Sequence, residues 1–300
     1  MKQYLKLFFT LLVFLSACQE EKNQESETQE TKEEVKINKK YKTIGSIERL
    51  DPAFHELIPE EAQIEVIGKG MTWSEGPLWI AEKNMLLFSD VKENRTHKWT
   101  EAGGVEVYLE PSGFTGDSTD SREKGANGLT LDPDGKLVMC QHGDRRVARL
   151  LASWEAPKSE FETVVDNFEG KRLNSPNDLV YDSQGNLFFT DPPFGLSEAM
   201  VDDPKKELPY QGVFRLSRDG TLTLLTDQMS RPNGVALSPD EKTLYVTNSD
   251  PEKAIWMAFP LNEDGSLGQG KVFYDATDLV GKEVGFPDGL KVDTAGNIYS

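Results

Sequence analysis

Short runs of apolar or alternating residues follow one another along most of the chain, from Ile64 to its last residue. Dipeptides that favour turns separate these runs, as at Asp134-Gly, Gln184-Gly, Asp219-Gly and Asp264-Gly. No long segment of the sequence shows the 3.6-residue period of an amphipathic helix. The pattern therefore predicts an all-β domain built from many short strands.

The strands belong to a repeat, in which a polar residue precedes a strand, a glycine-containing turn and a second strand. The repeated polar positions, here called the ring residues, are Glu75, Asn127, Asn177, Asn233 and Asp288. They lie 52, 50, 56 and 55 residues apart, and each carries a side-chain oxygen. A repeat of this length is typical of a β-propeller with one four-stranded blade per repeat. Because equal repeat positions lie at equal heights around the central channel, we expect the ring residues to converge there.

The strands of two blades can be delimited from the sequence. Those of the second blade are predicted at Leu129–Asp132, Leu137–Gln141, Arg146–Leu151 and Phe161–Val165. Those of the third blade are predicted at Asp178–Tyr181, Asn186–Thr190, Gly212–Leu216 and Leu222–Leu225. The loop Asp191–Tyr210 is long enough to cover the channel mouth, although a plain surface loop explains it equally well. We interpret the five tryptophans as packing residues of the blades.

The chain ends at Ser300, within the second strand of the fifth repeat. A closed propeller requires its first and last blades to meet, because an unpaired strand edge promotes aggregation. We therefore expect a six-bladed β-propeller, with about five blades represented in residues 42–300 and roughly 50 further residues beyond Ser300.

The N-terminus has the features of a targeting signal. Lys2 and Lys6 flank the start of an apolar run, and Leu15-Ser-Ala-Cys18 resembles the cleavage site of bacterial lipoproteins. We expect residues 1–17 to be removed and Cys18 to be lipidated; an ordinary secretory signal is the alternative. Residues 18–41 are rich in Glu and Lys and predict a flexible acidic tether. The expected location is the bacterial cell envelope, at the periplasmic or outer-membrane face, with the membrane contacted only through the lipid anchor at Cys18.

The formal net charge of −18 argues against nucleic acid as a partner, because nucleic-acid binding depends on neutralising phosphates with Lys and Arg. Cys140 lies in an apolar run and is predicted to be a buried small hydrophobe. Arg145 and Arg146 could hold an anionic sugar acid, but paired surface arginines are the simpler interpretation. The sequence gives no indication of the oligomeric state.

Four of the ring residues predict a metal site. If Glu75, Asn177, Asn233 and Asp288 point into one channel, two carboxylates meet two amide oxygens there. Buried carboxylates repel one another and lose hydration, and a divalent cation offsets both costs. Oxygen ligands favour Ca²⁺ or Mg²⁺ over zinc, and four protein oxygens leave positions for water or substrate. The alternative is that Asn-Gly and Asp-Gly are only turn formers, which does not explain Glu75.

A resemblance rests on four motifs at blade spacing, which are Glu75-Gly-Pro, Ser175-Pro-Asn-Asp178, Arg231-Pro-Asn-Gly234 and Phe286-Pro-Asp-Gly289. Over about residues 62–300 the chain resembles the gluconolactonase, regucalcin and senescence-marker-protein family, six-bladed propellers that hydrolyse lactones with one divalent metal. The resemblance implies that Glu75, Asn177, Asn233 and Asp288 bind the metal. Ca²⁺ is the first candidate, with Mg²⁺, Mn²⁺ and Zn²⁺ as alternatives. The resemblance also implies that Asp288 is the acid and base and that Asn127 lies near the substrate.

The activity implied by this resemblance is hydrolysis of a sugar lactone or a related small-molecule lactone, with the metal polarising the carbonyl group. Asp288 is expected to take a proton from water and return one to the ring oxygen. His142 and Asn127 could orient sugar hydroxyls, although a solvent-exposed or hydrogen-bonded structural histidine is the simpler interpretation of His142. Asp178 directly follows an expected metal ligand and is expected either beside the substrate or against that ligand. The alternatives are a non-catalytic, metal-stabilised propeller that binds carbohydrate or protein, and another ester hydrolase on the same scaffold.

Overall fold

The computed structural model describes residues 41–300. These begin with a lead-in, in which strand β1 (Lys42–Ile44) pairs antiparallel with β2 (Ile64–Val66) and the short helix α1 (Phe54–Leu57) lies between them in sequence. Within this range no helix has the length and apolar character needed to cross a membrane. The predicted signal peptide, Cys18 and nearly all of the predicted tether lie outside the described residues.

Four antiparallel sheets of four strands each then follow in chain order. Blade one contains β3 (Ser74–Ile80), β4 (Met85–Asp90), β5 (Arg95–Thr100) and β6 (Gly104–Leu109). Blade two contains β7 (Ala126–Leu131), β8 (Leu137–Gln141), β9 (Arg146–Leu150) and β10 (Phe161–Val165). A small hairpin of β11 (Asn167–Phe168) and β12 (Lys171–Arg172) comes next.

Blade three contains β13 (Leu179–Tyr181), β14 (Leu187–Asp191), β15 (Gly212–Leu216) and β16 (Leu222–Thr226). Blade four contains β17 (Pro232–Leu237), β18 (Thr243–Asp250), β19 (Lys253–Pro260) and β20 (Lys271–Asp275). A fifth repeat begins with β21 (Lys291–Val292) paired to β22 (Ile298–Tyr299). Two single 3₁₀ turns lie at Ala81–Lys83 and Thr277–Leu279.

The innermost strands β3, β7, β13, β17 and β21 contact one another in succession, as the inner strands of a propeller do. The prediction of an all-β propeller is therefore confirmed, with four complete blades and two strands of a fifth among the described residues. The strands predicted for blades two and three are confirmed with small shifts, the largest at β7, which begins at Ala126 rather than Leu129. The closure by a sixth blade remains a prediction.

The core lies between adjacent blades, because the second strands of blades two and three are buried on both faces. Phe188 and Phe189 are both fully buried, yet Phe189 packs towards blade two and Phe188 towards blade four. In blade two, Met139 packs towards blade one and Val138 towards blade three. This two-residue alternation explains why these strands read as continuous apolar runs. Cys140 is fully buried in the same core, which confirms its interpretation as a small hydrophobe.

The glycine after a ring residue allows the next blade to approach. A Cβ atom on Gly128 would lie 2.6 Å from the carbonyl oxygen of Asn177, and one on Gly234 would lie 2.4 Å from that of Asp288. Both distances are far shorter than a side-chain carbon tolerates. The Asn-Gly pairs are therefore explained by close contact between blades, and the interpretation as simple turn formers is wrong.

Candidate active site

The five ring residues, which come from five successive repeats, line one cavity of about 270 Å³ at the channel mouth. The prediction that they converge is confirmed by this cavity. The other residues that line it are Trp73, Glu123, Phe194, Arg231, Ser249, Gly285 and Phe286. We call it the channel cavity.

Bulges in the inner strands aim the ring residues into the channel. The register between β3 and β4 shifts between Glu75 and Leu78, and equivalent shifts follow Ala126 in β7 and Pro232 in β17. A bulge adds a residue to one strand and turns its side chain away from the regular alternation. The bulges thus place the polar side chain towards the channel while the strand beyond it returns to core packing.

Three ring asparagines form a hydrogen-bonded row. Asn127 Nδ2 donates to Asn177 Oδ1 at 2.9 Å, and Asn177 Nδ2 donates to Asn233 Oδ1 at 2.7 Å. Asn233 Nδ2 then donates to Ser249 Oγ at 2.9 Å. An amide oxygen can accept two hydrogen bonds. An oxygen in this row that accepts one can therefore still bind one other group.

The two acidic ring residues are held in an unfavourable environment. Burial and, after it, the nearby Asp288 raise the pKa of Glu75 from 4.5 to about 7, although a 2.9 Å hydrogen bond from Trp73 Nε1 opposes the shift. Burial also raises the pKa of Asp288, against a hydrogen bond from Asn233. Both carboxyl groups therefore resist ionisation as long as no positive charge joins them.

The donor set fits a hard divalent cation. Residues 41–300 contain no group of three His, Cys, Asp or Glu side chains placed to hold a metal, so carboxylates alone do not form the site. Glu75 and Asp288 instead share the channel cavity with amide oxygens, and all of these donors are oxygen atoms. Such a set suits Ca²⁺ or Mg²⁺ and lacks the nitrogen and sulfur ligands of typical zinc sites.

The asparagines differ in their capacity to bind such an ion. Asn177 Oδ1 accepts the hydrogen bond from Asn127 and lies 3.1 Å from His142 Nε2, so both of its acceptor positions are engaged. Asn233 Oδ1 accepts one hydrogen bond, from Asn177, and keeps one position. Glu75, Asn127, Asn233 and Asp288 are thus the ring residues with free oxygen acceptors, and Asn177 orients Asn233.

Hydroxyl groups fix the backbone of several ring residues. Each hydroxyl belongs to a residue in the second strand of one blade and donates to the backbone carbonyl oxygen of the ring residue in the next blade. The pairs are Ser89 to Asn127 at 2.8 Å, Thr190 to Asn233 at 2.6 Å and Thr247 to Asp288 at 2.7 Å. All three hydroxyl residues are fully buried, so these bonds are shielded from water.

His142 does not reach the channel cavity. Its side chain is fully buried, with Nε2 against Asn177 and Nδ1 3.4 Å from Glu123 Oε2. This arrangement supports the interpretation of His142 as a hydrogen-bonded structural histidine, and its contact with sugar hydroxyls stays a prediction. Its contacts orient Asn177.

Asp178 occupies the position that glycine has in blades one, two and four, and it joins blades. Its Oδ2 accepts a 3.1 Å hydrogen bond from the backbone N–H of Val235 and lies 3.4 Å from Lys291 Nζ. Its side chain is buried and is not among the residues that line the cavity. The carboxylate is directed to blade four, which supports a place against the ring residues, and its place beside the substrate stays a prediction.

Sequence reasoning missed several residues of the cavity. Trp73, interpreted as blade packing, is 46% exposed and lines the cavity beside Glu75. Phe194 shows that the loop after β14 reaches the channel mouth, which supports the lid interpretation over a plain surface loop. Glu123 arrives from the loop before β7. Trp73 and Arg231 lie two residues before a ring residue, and this constant offset could have identified them.

Comparisons with known proteins show which family the chain resembles. The model of the family described as SMP-30/Gluconolactonase/LRE-like region matches residues 73–300. A gluconolactonase of Zymomonas mobilis is 39% identical over 274 residues, which cover 89% of this chain and 74% of that protein. The pentonolactonase XacC of Haloferax volcanii is 25% identical over 240 residues, covering 78% of this chain and 68% of that protein.

A solved structure points the same way. The Xanthomonas campestris protein XC5397, described as a gluconolactonase, matches with a TM-score of 0.70 and 32% identity, covering 86% of this chain and 79% of that one. The family model spans all five ring residues. The chain belongs to the SMP-30/gluconolactonase/LRE-like family.

Proposed function

We propose that the protein is a lactonase that hydrolyses a sugar lactone or a closely related lactone, with one divalent cation in the channel cavity. The observation that carries the proposal is the convergence of Glu75, Asn233 and Asp288 in one cavity, in a chain whose 39% identical relative is a gluconolactonase. The raised pKa values of Glu75 and Asp288 support the cation, because two buried carboxyl groups without one are poorly stabilised.

Glu75, Asn233 and Asp288 would hold the cation, and Asn177 would bind it only after giving up one of its present hydrogen bonds. When bound, the cation supplies a Lewis acid that stabilises negative charge on the lactone carbonyl oxygen. Ca²⁺ is the first candidate because every donor is oxygen. Asn127 remains the candidate to bind a substrate hydroxyl, since it lines the cavity as well as the asparagine row.

Asp288 is the proposed acid and base. Its carboxylate takes a proton from water as the water oxygen forms a bond to the carbonyl carbon. It returns a proton to the ring oxygen as the ring C–O bond breaks, which yields the open-chain hydroxy acid. Burial raises the pKa of its carboxyl group, and the cation that Asp288 would help to hold would lower it again, so the strength of this base depends on both.

The cavity suits a small polar ring. It combines carboxylate and amide groups with the aromatic side chains of Trp73, Phe194 and Phe286. Small-molecule sites commonly pair a few polar groups with apolar walls in this way. A monosaccharide lactone matches both kinds of wall, since its hydroxyls are polar and its C–H surfaces are apolar.

The test is hydrolysis of glucono-1,5-lactone by the full chain, first stripped with a chelator and then supplied with Ca²⁺, Mg²⁺, Mn²⁺ or Zn²⁺ in turn. We expect turnover to disappear on chelation and to return with at least one ion. Turnover that survives complete chelation would rule out the cation. If no lactone in a panel is hydrolysed while Ca²⁺ still raises the melting temperature, the metal-stabilised binding propeller becomes the better proposal.

We also propose that the protein is attached to the bacterial cell envelope by lipid on Cys18. The support is the sequence Leu15-Ser-Ala-Cys18 after a basic and apolar segment. Metabolic labelling with a fatty-acid analogue should mark the wild-type protein in the membrane fraction, and Cys18→Ala should lose both label and membrane association. A variant that stays in the membrane fraction would contradict the anchor.

A further inference from the structure

A second cavity of about 530 Å³ lies beside blade two, between the loop that precedes β7 and the loop that follows β14. It shares no lining residue with the channel cavity. Four cationic side chains line it, namely Arg145, Arg146, Arg172 and Lys205. This grouping is notable in a chain whose net charge is −18. We call it the arginine cavity.

Two of the four cations are neutralised by their neighbours. Arg146 Nη2 lies 2.9 Å from Asp144 Oδ2, and Arg146 Nε also donates to Gln141. Lys205 forms an ion pair with Asp120 across the mouth of the cavity. The sequence-based interpretation of Arg145 and Arg146 as paired surface residues is therefore right for Arg146 only.

Arg145 is buried without a carboxylate partner. Only 9% of its surface is exposed, and its guanidinium donates to the carbonyl oxygens of Leu173, Asn174 and Lys205 at 2.8, 3.0 and 3.2 Å. Its Nη2 has no hydrogen-bond partner in the described part of the chain, and none of the salt bridges found there includes Arg145. Its backbone has a φ of 57°, a conformation that is strained for a residue with a side chain.

Electrostatics agree with an uncompensated charge. Burial lowers the pKa of Arg145, and Arg172 lowers it further, while the more distant Glu207, Asp191 and Asp203 partly offset this. Arg172 Nη2 donates a 3.1 Å hydrogen bond to the carbonyl oxygen of Asp144. Asp144 directly precedes Arg145, so this bond brings the Arg172 side chain close to Arg145. Across residues 41–300, the Arg172 side chain likewise forms no salt bridge. Two guanidinium groups thus border one cavity and repel each other.

We propose that the arginine cavity binds a small polyhydroxylated organic anion, a sugar acid or a sugar phosphate, through the exposed guanidinium of Arg172, with the buried charge of Arg145 behind it. An oxyanion beside Arg172 offsets the repulsion between the two guanidinium groups and accepts hydrogen bonds from Arg172 in the geometry that arginine favours. The hydroxyl groups of Ser118, Thr119, Ser121 and Ser197, which also line the cavity, match a ligand with several hydroxyls. An open-chain sugar acid is also the product class of the proposed lactonase, so this part of the ligand range rests on the proposed function.

The test measures binding of sodium gluconate, glucose 6-phosphate and inorganic phosphate to the full chain by calorimetry at constant ionic strength. Glucose serves as the neutral ligand of the same size. Arg172→Gln removes one guanidinium from an exposed position and should not affect folding. Arg95→Gln is the matched control, since Arg95 is an arginine on blade one that pairs with Glu110.

We expect gluconate or glucose 6-phosphate to bind and glucose not to bind. Arg172→Gln should lower the affinity for the anion about tenfold or more, as expected for the loss of one charge-assisted hydrogen bond. Arg95→Gln should leave the affinity unchanged. Binding of gluconate alone indicates a carboxylate site, and binding of glucose 6-phosphate alone indicates a phosphate site. The proposal is overturned if neither organic anion binds, or if Arg172→Gln binds as tightly as the wild type.

The same titration in Asp288→Asn separates the two cavities. Binding that depends on Arg172 should persist in this variant, because Asp288 belongs only to the channel cavity. Binding that disappears with Asp288 belongs to the channel cavity and would overturn the second site. Lactone turnover should be unaffected in Arg172→Gln, because Arg172 lies outside the channel cavity. If the wild type binds the anion but hydrolyses no lactone, the proposed function is refuted and the anion site is retained.

Discussion

Blade two holds the next ring residue differently from blades one, three and four. In those three blades a buried hydroxyl of the second strand donates to the backbone carbonyl of the next ring residue. Cys140 occupies the matching position of blade two, one residue before the end of β8, and lacks a hydroxyl. Asn177, the ring residue it faces in the repeat, receives a backbone hydrogen bond from Gly128 at 2.8 Å and side-chain contacts from Asn127 and His142.

The difference separates two ways of placing a polar group in the channel. Asn233 and Asp288, which keep free oxygen acceptors for a cation, are fixed through their backbone by threonines. Asn177, whose oxygen is already engaged, is fixed through its side chain. A hydroxyl that holds only the backbone leaves the side chain available, so the support of Asn177, Asn233 and Asp288 matches the role proposed for each.

Asp288→Asn tests the side chain separately from its backbone support, and its effect should be the largest. The change keeps the shape and the hydrogen bond from Thr247 to the backbone but removes the proposed base. We expect kcat to fall about 10²- to 10⁴-fold, as for loss of a general base. The melting temperature without metal should not fall, because burial already disfavours the Asp288 carboxylate. Asp278→Asn, an exposed change in the same segment, is the control; substantial turnover by Asp288→Asn would refute the assignment.

Thr247→Val removes the support and keeps the base. The Thr247 hydroxyl accepts a 2.7 Å hydrogen bond from Gly234 N–H and donates to the Asp288 carbonyl, so valine leaves these two groups with only the 3.2 Å hydrogen bond between them. The expected cost is about 1–3 kcal/mol in the free energy of unfolding, with roughly a tenfold loss of kcat/KM from displacement of Asp288. Thr247→Ser restores the hydroxyl and should recover most of both. Equal defects in the valine and serine variants would show that the methyl group matters instead.

A second repeated support differs between blades in its charge. Asp191 Oδ1 and Oδ2 accept the N–H groups of Ser175 and Asn174, just before ring residue Asn177, whereas the neutral Asn248 accepts that of Arg231 in blade four. Burial raises the pKa of Asp191 from 3.8 to about 7, against these hydrogen bonds and Arg145. The folded state therefore retains a proton that the unfolded chain releases.

This predicts that Asp191 destabilises the fold as pH rises. Its contribution to stability is complete below pH 4 and is lost on going up through about pH 7. The loss is at most about 4 kcal/mol, from 1.36 kcal/mol per pKa unit. Urea unfolding from pH 5 to 8 should show a smaller decline in Asp191→Asn than in the wild type. An identical decline would mean that Asp191 is already ionised throughout this range.

The sequence predicted the ring because its spacing is a property of the chain itself. One polar residue per repeat must converge once each repeat becomes a blade, so Glu75 and Asp288 could be paired across more than two hundred residues. Glu123 and Phe194 escaped prediction because they arrive on loops whose paths depend on tertiary packing. The burial of His142 and the inter-blade role of Asp178 also depend on which side of a strand end faces the neighbouring blade. The hydroxyl positions were visible, however, since Ser89, Thr190 and Thr247 each precede Asp or Asn at the end of a second strand.

Cys140→Ser should have the smallest effect and is the sharpest test of the repeat. If position 140 is equivalent to Thr190, a serine hydroxyl there meets the Asn177 carbonyl, which accepts only the Gly128 N–H and has one acceptor position left. The new hydrogen bond then offsets the burial of the hydroxyl, and the free energy of unfolding should change by less than about 1 kcal/mol. The reverse change, Thr190→Cys, removes the 2.6 Å hydrogen bond to Asn233 and should cost more. Should Cys140→Ser prove as damaging as Thr190→Cys, the hydroxyl has no acceptor at this position, and blade two departs from the repeat in its backbone as well as in its side chain.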